Sequence, residues 1–561
     1  MSATILGKPR PRGGRLVRGI ALALIGFVAV LLLTWAILLR ITTIDPPRLD
    51  GLVELPVEAR GVRAYVGPNW LSRERGIWEY HLEGEPAQMG YAHTRLGSRI
   101  LDETDDYMFA EFHKWVPSRL ARFFISLGVR LKFRHLPDHI PLDRQREIAG
   151  EARGFIDRHA DFLPTYHRLI FYHSLHDITQ GVEHSPLLGC TAFAASGGAT
   201  TNGHLIVGRN FDFEGPEPLD TEKAILFFKP SGPGKIPFAS VAWTGMTGVV
   251  TGLNAEGIYV SINAARTDDK GGDGIPVELL VREILESAHS IDDVIAKVRD
   301  ARLMVPDLYM VGDGKTGESA VIERSPTRTE VRRTHTERTD VSLLTNHAIT
   351  PPFQRDAEND RLKRYLTSGA RLRRLAELVH QYRGAIDPKR AVEILRDKKG
   401  EGGEPLGLGN RNAIDALIAT HSVVVDATAL QIWVGVGPHC LGKYVGFDLR
   451  QELLGEDRPR PPMIPEDPIA ASDELRQHRE AVSELAWAER LRHEGHGVRA
   501  LEEAQRAESL DEKMPEPHRL VGDLLRQSDH DRARREYERY LELRPPYLRD
   551  VEAVKGILSS L

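Results

Sequence analysis

Three residues near the middle of the chain have the types and the spacing that thiol chemistry needs. Cys190 follows a glycine, and Arg209 and Asp212 lie three residues apart shortly after it. A cysteine attacks a carbonyl only as its thiolate, so it needs a base or a positively charged neighbour. We therefore predict that the stretch from Gly189 to Phe213, GCTAFAASGGATTNGHLIVGRNFDF, carries the reactive centre of the protein.

The residue before Cys190 points to an unusual base. If the Gly189–Cys190 bond were cut, Cys190 would carry a free α-amino group with a pKa near about 8. That amine could accept the thiol proton without a histidine, so one residue would be both nucleophile and base. Glycine suits such a cut because its backbone adopts the strained turn that brings the sulfur onto the preceding carbonyl.

The length and composition limit the class of protein. A chain of 561 residues is long enough for two or three folded units, and its 41% hydrophobic and 27% charged residues are typical of globular proteins. The net charge of −6 gives no support for a nucleic-acid partner. Cys190 and Cys440 are the two cysteines, which excludes a disulfide framework and a multi-cysteine zinc site. A single disulfide between them is the alternative to a reactive Cys190.

The N-terminus has the pattern of a membrane anchor. Residues 19–39 contain no charged side chain and would span roughly 31 Å as a helix, enough to cross a bilayer core. Basic residues, and no acidic ones, precede this span: Lys8, Arg10, Arg12, Arg15 and Arg18. By the positive-inside rule, residues 1–44 are a cytoplasmic stub and transmembrane helix, and the catalytic domain is extracytoplasmic. A cleavable signal peptide is the alternative, although no A-x-A site follows the apolar run.

Residues 45–189 are predicted to form a helical pro-segment or small subunit. Residues 107–133 and 143–159 have the apolar periodicity of amphipathic helices. The aromatic residues of the first of these are expected to lie in the core: Phe109, Phe112, Trp115, Phe123 and Phe124. The alternative is that this basic amphipathic stretch rests on the membrane surface beside the anchor.

Residues 190–455 are predicted to form the catalytic domain. Asn202-Gly203 separates two strand-like runs, and both residues tolerate the positive φ of a tight hairpin turn. Three further hairpins are predicted, at residues 247–263, 307–323 and 422–434. Hairpins interleaved with helical segments indicate antiparallel sheets covered by helices, an α+β layered domain. The loop at residues 397–412 is a candidate border of the substrate cleft.

The C-terminal part of the chain is predicted to consist of a linker and a helical tail. Residues 456–470 are rich in proline, and residues 471–561 are almost wholly helical in composition. Three positions recur after 33 residues: Ala500, Ala507 and Leu510 as Ala533, Tyr540 and Leu543. This period is similar to that of tetratricopeptide (TPR) repeats, which predicts a TPR-like domain that binds a protein or peptide. The alternative is a helical hairpin that packs on the catalytic domain.

Four motifs of the catalytic region together resemble a known family. They are GCTAFAA with GRNFDF at residues 189–213, GLNAEGIYVSIN at 252–263, LLTNHA at 343–348 and TSGARLRRL at 367–375. In this order, over about residues 188–449, they are similar to the N-terminal nucleophile (Ntn) hydrolases of the penicillin acyltransferase and choloylglycine hydrolase type. Two departures are present. In this chain 189 residues precede the cysteine, which fits the penicillin acyltransferase branch with its internal Gly-Cys cut, and Ala255 stands between Asn254 and Glu256.

The resemblance implies an αββα Ntn-hydrolase sandwich and a role for each matching residue. Cys190 would be the nucleophile, and its new α-amino group would be the base. Asp212 would hydrogen-bond this amine and orient it. Arg209 would favour the thiolate by its charge.

Three further residues match side chains that act around the reacting carbonyl. Asn263 is implied as the oxyanion-hole donor, a role in which one N–H is worth a few kcal/mol. Asn346 would be a second amide near that carbonyl, and Arg371 would tie Asn346 to the nucleophile. No metal or organic cofactor is implied.

The sequence therefore predicts a membrane-anchored cysteine Ntn enzyme that cuts its own Gly189–Cys190 bond and works through an acyl thioester on Cys190. The substrate would be a linear N-acyl amide, or an acyl donor such as an acyl-CoA whose acyl group passes to an amine. Two alternatives stay open. One is a non-catalytic membrane scaffold with a degenerate Ntn domain. The other is a thiol hydrolase that pairs Cys190 with His347 and does not cut itself.

Overall fold

The computed structural model describes residues 13–160, 162–180, 189–213, 217–269 and 271–561. Helix α1 (Gly13–Thr42) contains a stretch of 23 residues, Ile20–Thr42, that is long and apolar enough to cross a membrane. Its mean hydropathy is 2.8, and its most apolar window has no buried residue. The basic residues Lys8, Arg10 and Arg12 of the predicted stub lie outside the described residues.

The N-terminal segment continues with short strands and then helices. These are β1 (Glu58–Arg60), β2 (Arg63–Val66), β3 (Asn69–Ser72), β4 (Trp78–Gly84), α2 (Pro86–Leu96), α3 (Ser98–Trp115), α4 (Arg119–Lys132), α5 (Leu142–Gly154), α6 (Thr165–Tyr172) and α7 (Leu175–Gln180). A 3₁₀ turn at Leu136–His139 joins α4 to α5.

The central region alternates hairpins with helices, as its sequence predicts. Its first half is β5 (Thr191–Gly197), β6 (Gly203–Asp212), α8 (Pro218–Thr221), β7 (Lys223–Pro230), β8 (Phe238–Trp243), β9 (Thr251–Asn254), β10 (Ile258–Ala264), α9 (Val277–Leu285), α10 (Ile291–Asp300), β11 (Asp307–Asp313) and β12 (Glu318–Arg324). Its second half is β13 (Thr329–Arg333), α11 (Thr334–Glu337), β14 (Val341–Leu344), α12 (Ala357–Arg364), α13 (Ser368–Gln381), α14 (Pro388–Leu395), β15 (Ala419–Asp426), β16 (Gln431–Gly435), β17 (Tyr444–Asp448) and α15 (Leu449–Leu454).

The strands of the described residues form two sheets. The larger has 11 strands in the order β1-β2-β3-β4-β7-β8-β9-β10-β11-β12-β13, and the smaller has six in the order β14-β5-β6-β15-β16-β17. Neighbouring strands are antiparallel except for β4 and β7, which run parallel.

The two sheets pack face to face, and helices cover their outer faces. Along β6, Val207 joins the apolar cluster between the sheets, whereas Ile206 joins the cluster under α13 and α14. Both faces of β6 are therefore buried, which explains its continuous apolar run. Helices α9 and α10 cover the larger sheet through residues such as Ile284. The layers run helix, sheet, sheet, helix, and the predicted α+β class is confirmed.

The segment at residues 45–189 is not helical throughout, contrary to the prediction. Its first part forms β1–β4, and β4 pairs with β7 from Trp78 opposite Ala224 to Gly84 opposite Pro230. Strands β1–β3 are only three or four residues long, too short for an alternating pattern to show in the sequence. The N-terminal segment therefore shares a sheet with the central region.

The aromatic residues of α3 and α4 do not all enter a core, which also differs from the prediction. Phe109 is buried, but Trp115 and Phe124 are 82% and 59% exposed. Pro117 separates the two helices because the residue before a proline disfavours helical backbone. Ser118 then caps the first turn of α4 with its side chain. The predicted single helix is thus a pair, and α4 has no buried residue.

The C-terminal part is helical, as its composition predicts. It consists of α16 (Asp473–His493), α17 (Gly497–Leu510), α18 (Pro515–Leu525), α19 (His530–Glu542) and α20 (Leu548–Ser560). Ala507, Ala533 and Tyr540, which belong to the 33-residue recurrence, are buried together in one apolar cluster of this region. The TPR-like character of the tail stays a prediction.

We expect Gly150→Ala to destabilise the protein, because α2 and α5 cross at glycines. A β-carbon on Gly150 would lie 2.1 Å from the backbone oxygen of Ala87, and one on Gly90 would lie 1.9 Å from that of Glu147. Overpacking of this kind costs about 1–3 kcal/mol in the free energy of unfolding, measurable by urea denaturation. Gly128→Ala in α4, where nothing lies within 4 Å, is the matched control and should leave stability unchanged or raise it. Equal effects of the two changes would contradict the close crossing.

Candidate active site

The β5–β6 hairpin sets the three central residues side by side. Cys190 directly precedes β5, and the predicted hairpin is present, but Gly197 pairs with Gly203, so a loop of residues 198–202 replaces the predicted tight turn at Asn202-Gly203. Antiparallel pairing then places Arg209 opposite the second residue of β5. At the end of β6, the backbone oxygen of Asp212 accepts a hydrogen bond from Gly189 N at 3.0 Å. The hairpin therefore holds both charged residues next to the Gly-Cys bond.

Arg209 is fully buried and brings a positive charge to the thiol. Its Nη1 donates to His421 Nε2 at 3.1 Å and to Thr251 Oγ1, and its Nη2 donates to the backbone oxygen of Ile262. Burial raises the pKa of the Cys190 thiol, and the charge of Arg209 lowers it again. These bonds hold the guanidinium close to the thiol. Its positive charge there offsets part of the free-energy cost of burying a thiolate.

Asp212 is buried beside the same peptide bond. Burial raises the pKa of its carboxyl to about 7, and the charges of Arg371 and Arg411 oppose this rise. A β-carbon built on Gly189 would lie 3.7 Å from Asp212 Oδ2, so the carboxyl faces the Gly-Cys junction. It is in a position to bond an amine released there.

Arg371, on α13, connects Cys190 to an amide from a distant part of the chain. Its Nη1 donates to Cys190 O at 2.6 Å and to Thr191 Oγ1 at 2.8 Å, and its Nη2 donates to Asn346 Oδ1 at 2.8 Å. Burial lowers the pKa of this guanidinium to about 10, and the charge of Asp212 opposes the fall. Arg371 therefore stays charged at neutral pH.

The two predicted amides complete the cluster. Asn346 Nδ2 donates to the backbone oxygen of Ala264 at 3.0 Å, and Asn263 Nδ2 donates to that of Thr345 at 2.8 Å. Both side chains are buried. An amide nitrogen carries two N–H donors, so Asn263 keeps one for another acceptor. Arg371 links Asn346 to Cys190, and Asn263 bonds the residue before Asn346. The six predicted site residues therefore belong to one connected cluster: Cys190, Arg209, Asp212, Asn263, Asn346 and Arg371.

The histidine of the Cys-His alternative has other partners. His347 Nδ1 bonds with Ser368 Oγ at 2.7 Å, and burial lowers the pKa of the ring to about 4. A general base with so low a pKa is weak at neutral pH. Cys190 and Cys440 are both free and buried, so the disulfide alternative is wrong.

His421 belongs to the same hydrogen-bonded cluster but was not selected from the sequence. It accepts from Arg209 and bonds with Thr251 Oγ1 at 3.0 Å, and its ring stacks on Phe211. Burial lowers the pKa of His421 well below its usual value, so the ring is neutral and can accept from the guanidinium. Its partners lie on other strands, and no local motif marks it.

Arg411 is a second residue that sequence reasoning missed. It follows the glycine-rich part of the 397–412 loop, and a β-carbon on Gly189 would lie 3.5 Å from its Nη2. The C-terminal helices contact this loop, since Asn410 Nδ2 donates to the backbone oxygen of Arg544 at 3.1 Å. This contact agrees with the alternative in which the tail packs on the catalytic domain.

A cavity of about 630 Å³ lies past the end of β10, and none of the six predicted site residues lines it. Its wall includes Ala265 and Arg266, which directly follow β10 and lie two and three residues after Asn263. The N-terminal segment contributes Phe133 and Asp177 to the other side. The 397–412 loop, which the sequence suggested as a border of the cleft, does not line this cavity.

The buried Asp212 carboxyl predicts a pH-dependent change in stability. Between about pH 4 and pH 7 the unfolded carboxyl is ionised while the folded one still holds its proton, so folding becomes less favourable as the pH rises through this window. Asp212→Asn, made in a Cys190→Ala chain, should remove this loss. Urea unfolding at several pH values measures it, with the exposed Asp457→Asn as control. Parallel pH profiles for Asp212→Asn and its parent would contradict the raised pKa.

Residues 199–405 match the family model of acyl-coenzyme A:6-aminopenicillanic acid acyl-transferase. An uncharacterized protein of Archaeoglobus fulgidus is 26% identical over 57% of this chain and 58% of its own length. Protein dcd1B of Dictyostelium discoideum is 23% identical over 44% of this chain and 50% of its own length. The chain thus spans little more than half of these relatives.

Among solved structures, an N-acylethanolamine-hydrolyzing acid amidase ortholog of Caenorhabditis elegans is 19% identical, with a TM-score of 0.32. The alignment covers 43% of this chain and 93% of that one. The family match over residues 199–405 supports the Ntn hydrolase family for the central part of this chain.

Proposed function

We propose that this chain is a cysteine amidase or acyltransferase that acts through an acyl thioester on Cys190. The observation that carries the proposal is the convergence of two arginines, one carboxylate and two amides on a buried cysteine at a Gly-Cys bond. The family match over residues 199–405 supports the same chemistry.

The chain is proposed to activate itself by cutting the Gly189–Cys190 bond. The Cys190 thiol adds to the Gly189 carbonyl carbon, and the peptide C–N bond breaks as its nitrogen takes a proton. Water then hydrolyses the resulting thioester. The products are a carboxylate on Gly189 and a free thiol and α-amine on Cys190.

After the cut, the new α-amine is the proposed general base. It takes the thiol proton as the sulfur attacks a substrate carbonyl, and it returns the proton to the leaving amine. Arg209 stabilises the thiolate, and Asp212 orients the amine. A protonated amine beside Asp212 would lower the raised pKa of this carboxyl. Asn263 offers its remaining N–H to the developing oxyanion.

Water or an amine can resolve the same thioester. Water would make the protein a hydrolase of linear N-acyl amides, and an amine acceptor would make it an N-acyltransferase using an acyl donor. Both reactions need the same acylation step at Cys190, and the residues described above act in that step. The cavity past the end of β10, whose wall includes Ala265 and Arg266, is the proposed place for the acyl group or its leaving group.

The membrane location and the tail are proposals as well. The length and apolar character of α1 support an uncleaved anchor with a cytoplasmic N-terminus and an extracytoplasmic catalytic domain. The contact between Asn410 and Arg544 supports the alternative in which the helical tail packs on the catalytic domain. A protein or peptide partner at that tail stays a second possibility.

Self-cleavage is tested by intact mass and N-terminal sequencing of the purified protein. We expect two fragments, one of which begins at Cys190, and a single uncut chain for Cys190→Ala. Cys440→Ala, which removes the other buried thiol, is the control and should be cut as the wild type is. An uncut wild-type chain would exclude the α-amine as base. If such a chain were still active and lost activity as His347→Ala, the Cys-His alternative would replace the proposal.

The oxyanion role of Asn263 predicts a specific kinetic defect. With an N-acyl para-nitroanilide as probe, Asn263→Ala should lower kcat by about 10²–10³-fold and change KM little, because the lost bond forms mainly in the transition state. Asn202→Ala removes an exposed amide in the β5–β6 turn and should leave kcat unchanged. Mass spectrometry must first verify that both variants are cut. A rise in KM at constant kcat would assign Asn263 to substrate binding instead.

A further inference from the structure

One face of the N-terminal segment is apolar and uncovered. Helix α4 has no buried residue, although it is 14 residues long. The large apolar side chains exposed on the outer side of α4 and at the end of α3 are Trp115, Leu120, Phe123 and Phe124. A continuous exposed patch of this kind marks an interaction surface.

This surface lies against the candidate anchor. The rings of Trp35 in α1 and Phe123 in α4 are 5.3 Å apart. Trp35 lies seven residues before Thr42, which is about 10 Å along the helix axis. The end of α1 is tied to the folded domain, because Ile44 is buried in the same apolar cluster as Leu136. The depth of Phe123 relative to the end of α1 is thereby fixed.

The distance of about 10 Å between Trp35 and the end of α1 matches the depth at which interfacial helices lie in a bilayer. An amphipathic helix in a membrane interface buries its apolar face about 5–10 Å into the boundary between headgroups and acyl chains. Tryptophan is enriched at the same level in membrane proteins. If α1 crosses a bilayer, α4 must therefore meet the bilayer surface on the side of the folded domain.

The charge of α4 fits a lipid surface. Its sequence, RLARFFISLGVRLK, contains four basic residues and no acidic one: Arg119, Arg122, Arg130 and Lys132. Such a helix is attracted to anionic headgroups while its aromatic residues enter the apolar layer. A protein partner for this face would instead need complementary acidic groups.

The position of α4 is not explained by packing on its own domain. The side of α4 that turns toward the domain borders a cavity of about 260 Å³, to which Ile125 and Val129 contribute. The opposite wall comes from residues of α3 and α6, including Phe112 and Phe171. A helix held only by the domain would be expected to close such an apolar gap.

We propose that α4 and the end of α3 lie in the membrane interface beside α1 and form a second, in-plane contact with lipid. The inference rests on the proposed anchor. It adds that the folded domain is held at a fixed height and orientation, with α4 as its lipid-facing side. The lipid bilayer is the proposed partner of this surface.

The test places fluorescent probes in the full-length chain in nanodiscs that contain anionic lipid. Both native cysteines are buried, so cysteines introduced as Phe124→Cys, Val28→Cys and Val498→Cys can each be labelled with a fluorophore sensitive to polarity. Wild-type protein treated with the same fluorophore shows how much of the label reacts with Cys190. Nitroxide-labelled lipids then quench those probes that lie in the bilayer.

We expect blue-shifted emission and quenching at position 124 and at position 28 in α1, and neither at position 498 in the tail. Quenching at 28 without quenching at 124 would overturn the in-plane contact and leave the anchor intact. No quenching at either position would overturn both. The mass of the cut fragments tests the proposed self-cleavage separately. The membrane contact of α4 and the catalytic proposal can therefore fail independently.

Discussion

The guanidinium of Arg371 is the point at which three distant segments of the chain meet. It bonds the carbonyl of Cys190, the hydroxyl of Thr191 and the amide of Asn346, and it is almost completely buried. Burying a charge without partners costs several kcal/mol, so this side chain is tolerated only when all of its acceptors are in place. The cluster is therefore expected to form as a unit or not at all.

The cost of burying charge also determines how the charged groups of the cluster are paired. The thiol and the carboxyl of Asp212 are both disfavoured as anions by burial, and both face guanidinium groups that oppose the penalty. Arg209 is in turn held by a neutral histidine and by a hydroxyl. The fold thus places the charges in fixed positions before any substrate arrives, which is the condition for electrostatic preorganisation.

The centre of the cluster could be predicted from the sequence because its geometry is local. Asn202-Gly203 marks the position of a hairpin, although its loop covers residues 198–202 and is not a two-residue turn, and the hairpin alone brings Arg209 and Asp212 to Cys190. The other three residues came from motifs in a recognisable order. Arg411 and His421 were missed since their roles depend on long-range contacts. His421 and Arg209, for example, are 212 residues apart.

The failures in the N-terminal segment have a different cause. Strands β1–β3 depend for their existence on neighbours in the sheet, and three or four residues carry too little pattern to reveal that. The aromatic periodicity of α4 correctly indicated an amphipathic helix, but it does not distinguish a core from a lipid surface. Both environments are apolar, and the sequence pattern reports only that common property.

If the Gly189–Cys190 bond is cut, the parallel pairing of β4 with β7 makes the unfolding equilibrium depend on the association of two chains. Seven residues of each strand, Trp78–Gly84 and Ala224–Pro230, would then belong to different polypeptides within one sheet. Unfolding would release two molecules instead of one, so its midpoint would depend on protein concentration, whereas that of the uncut precursor would not. The precursor forms this ladder within one molecule. A mature protein that had once come apart would have to form it by a bimolecular encounter between two incomplete sheets.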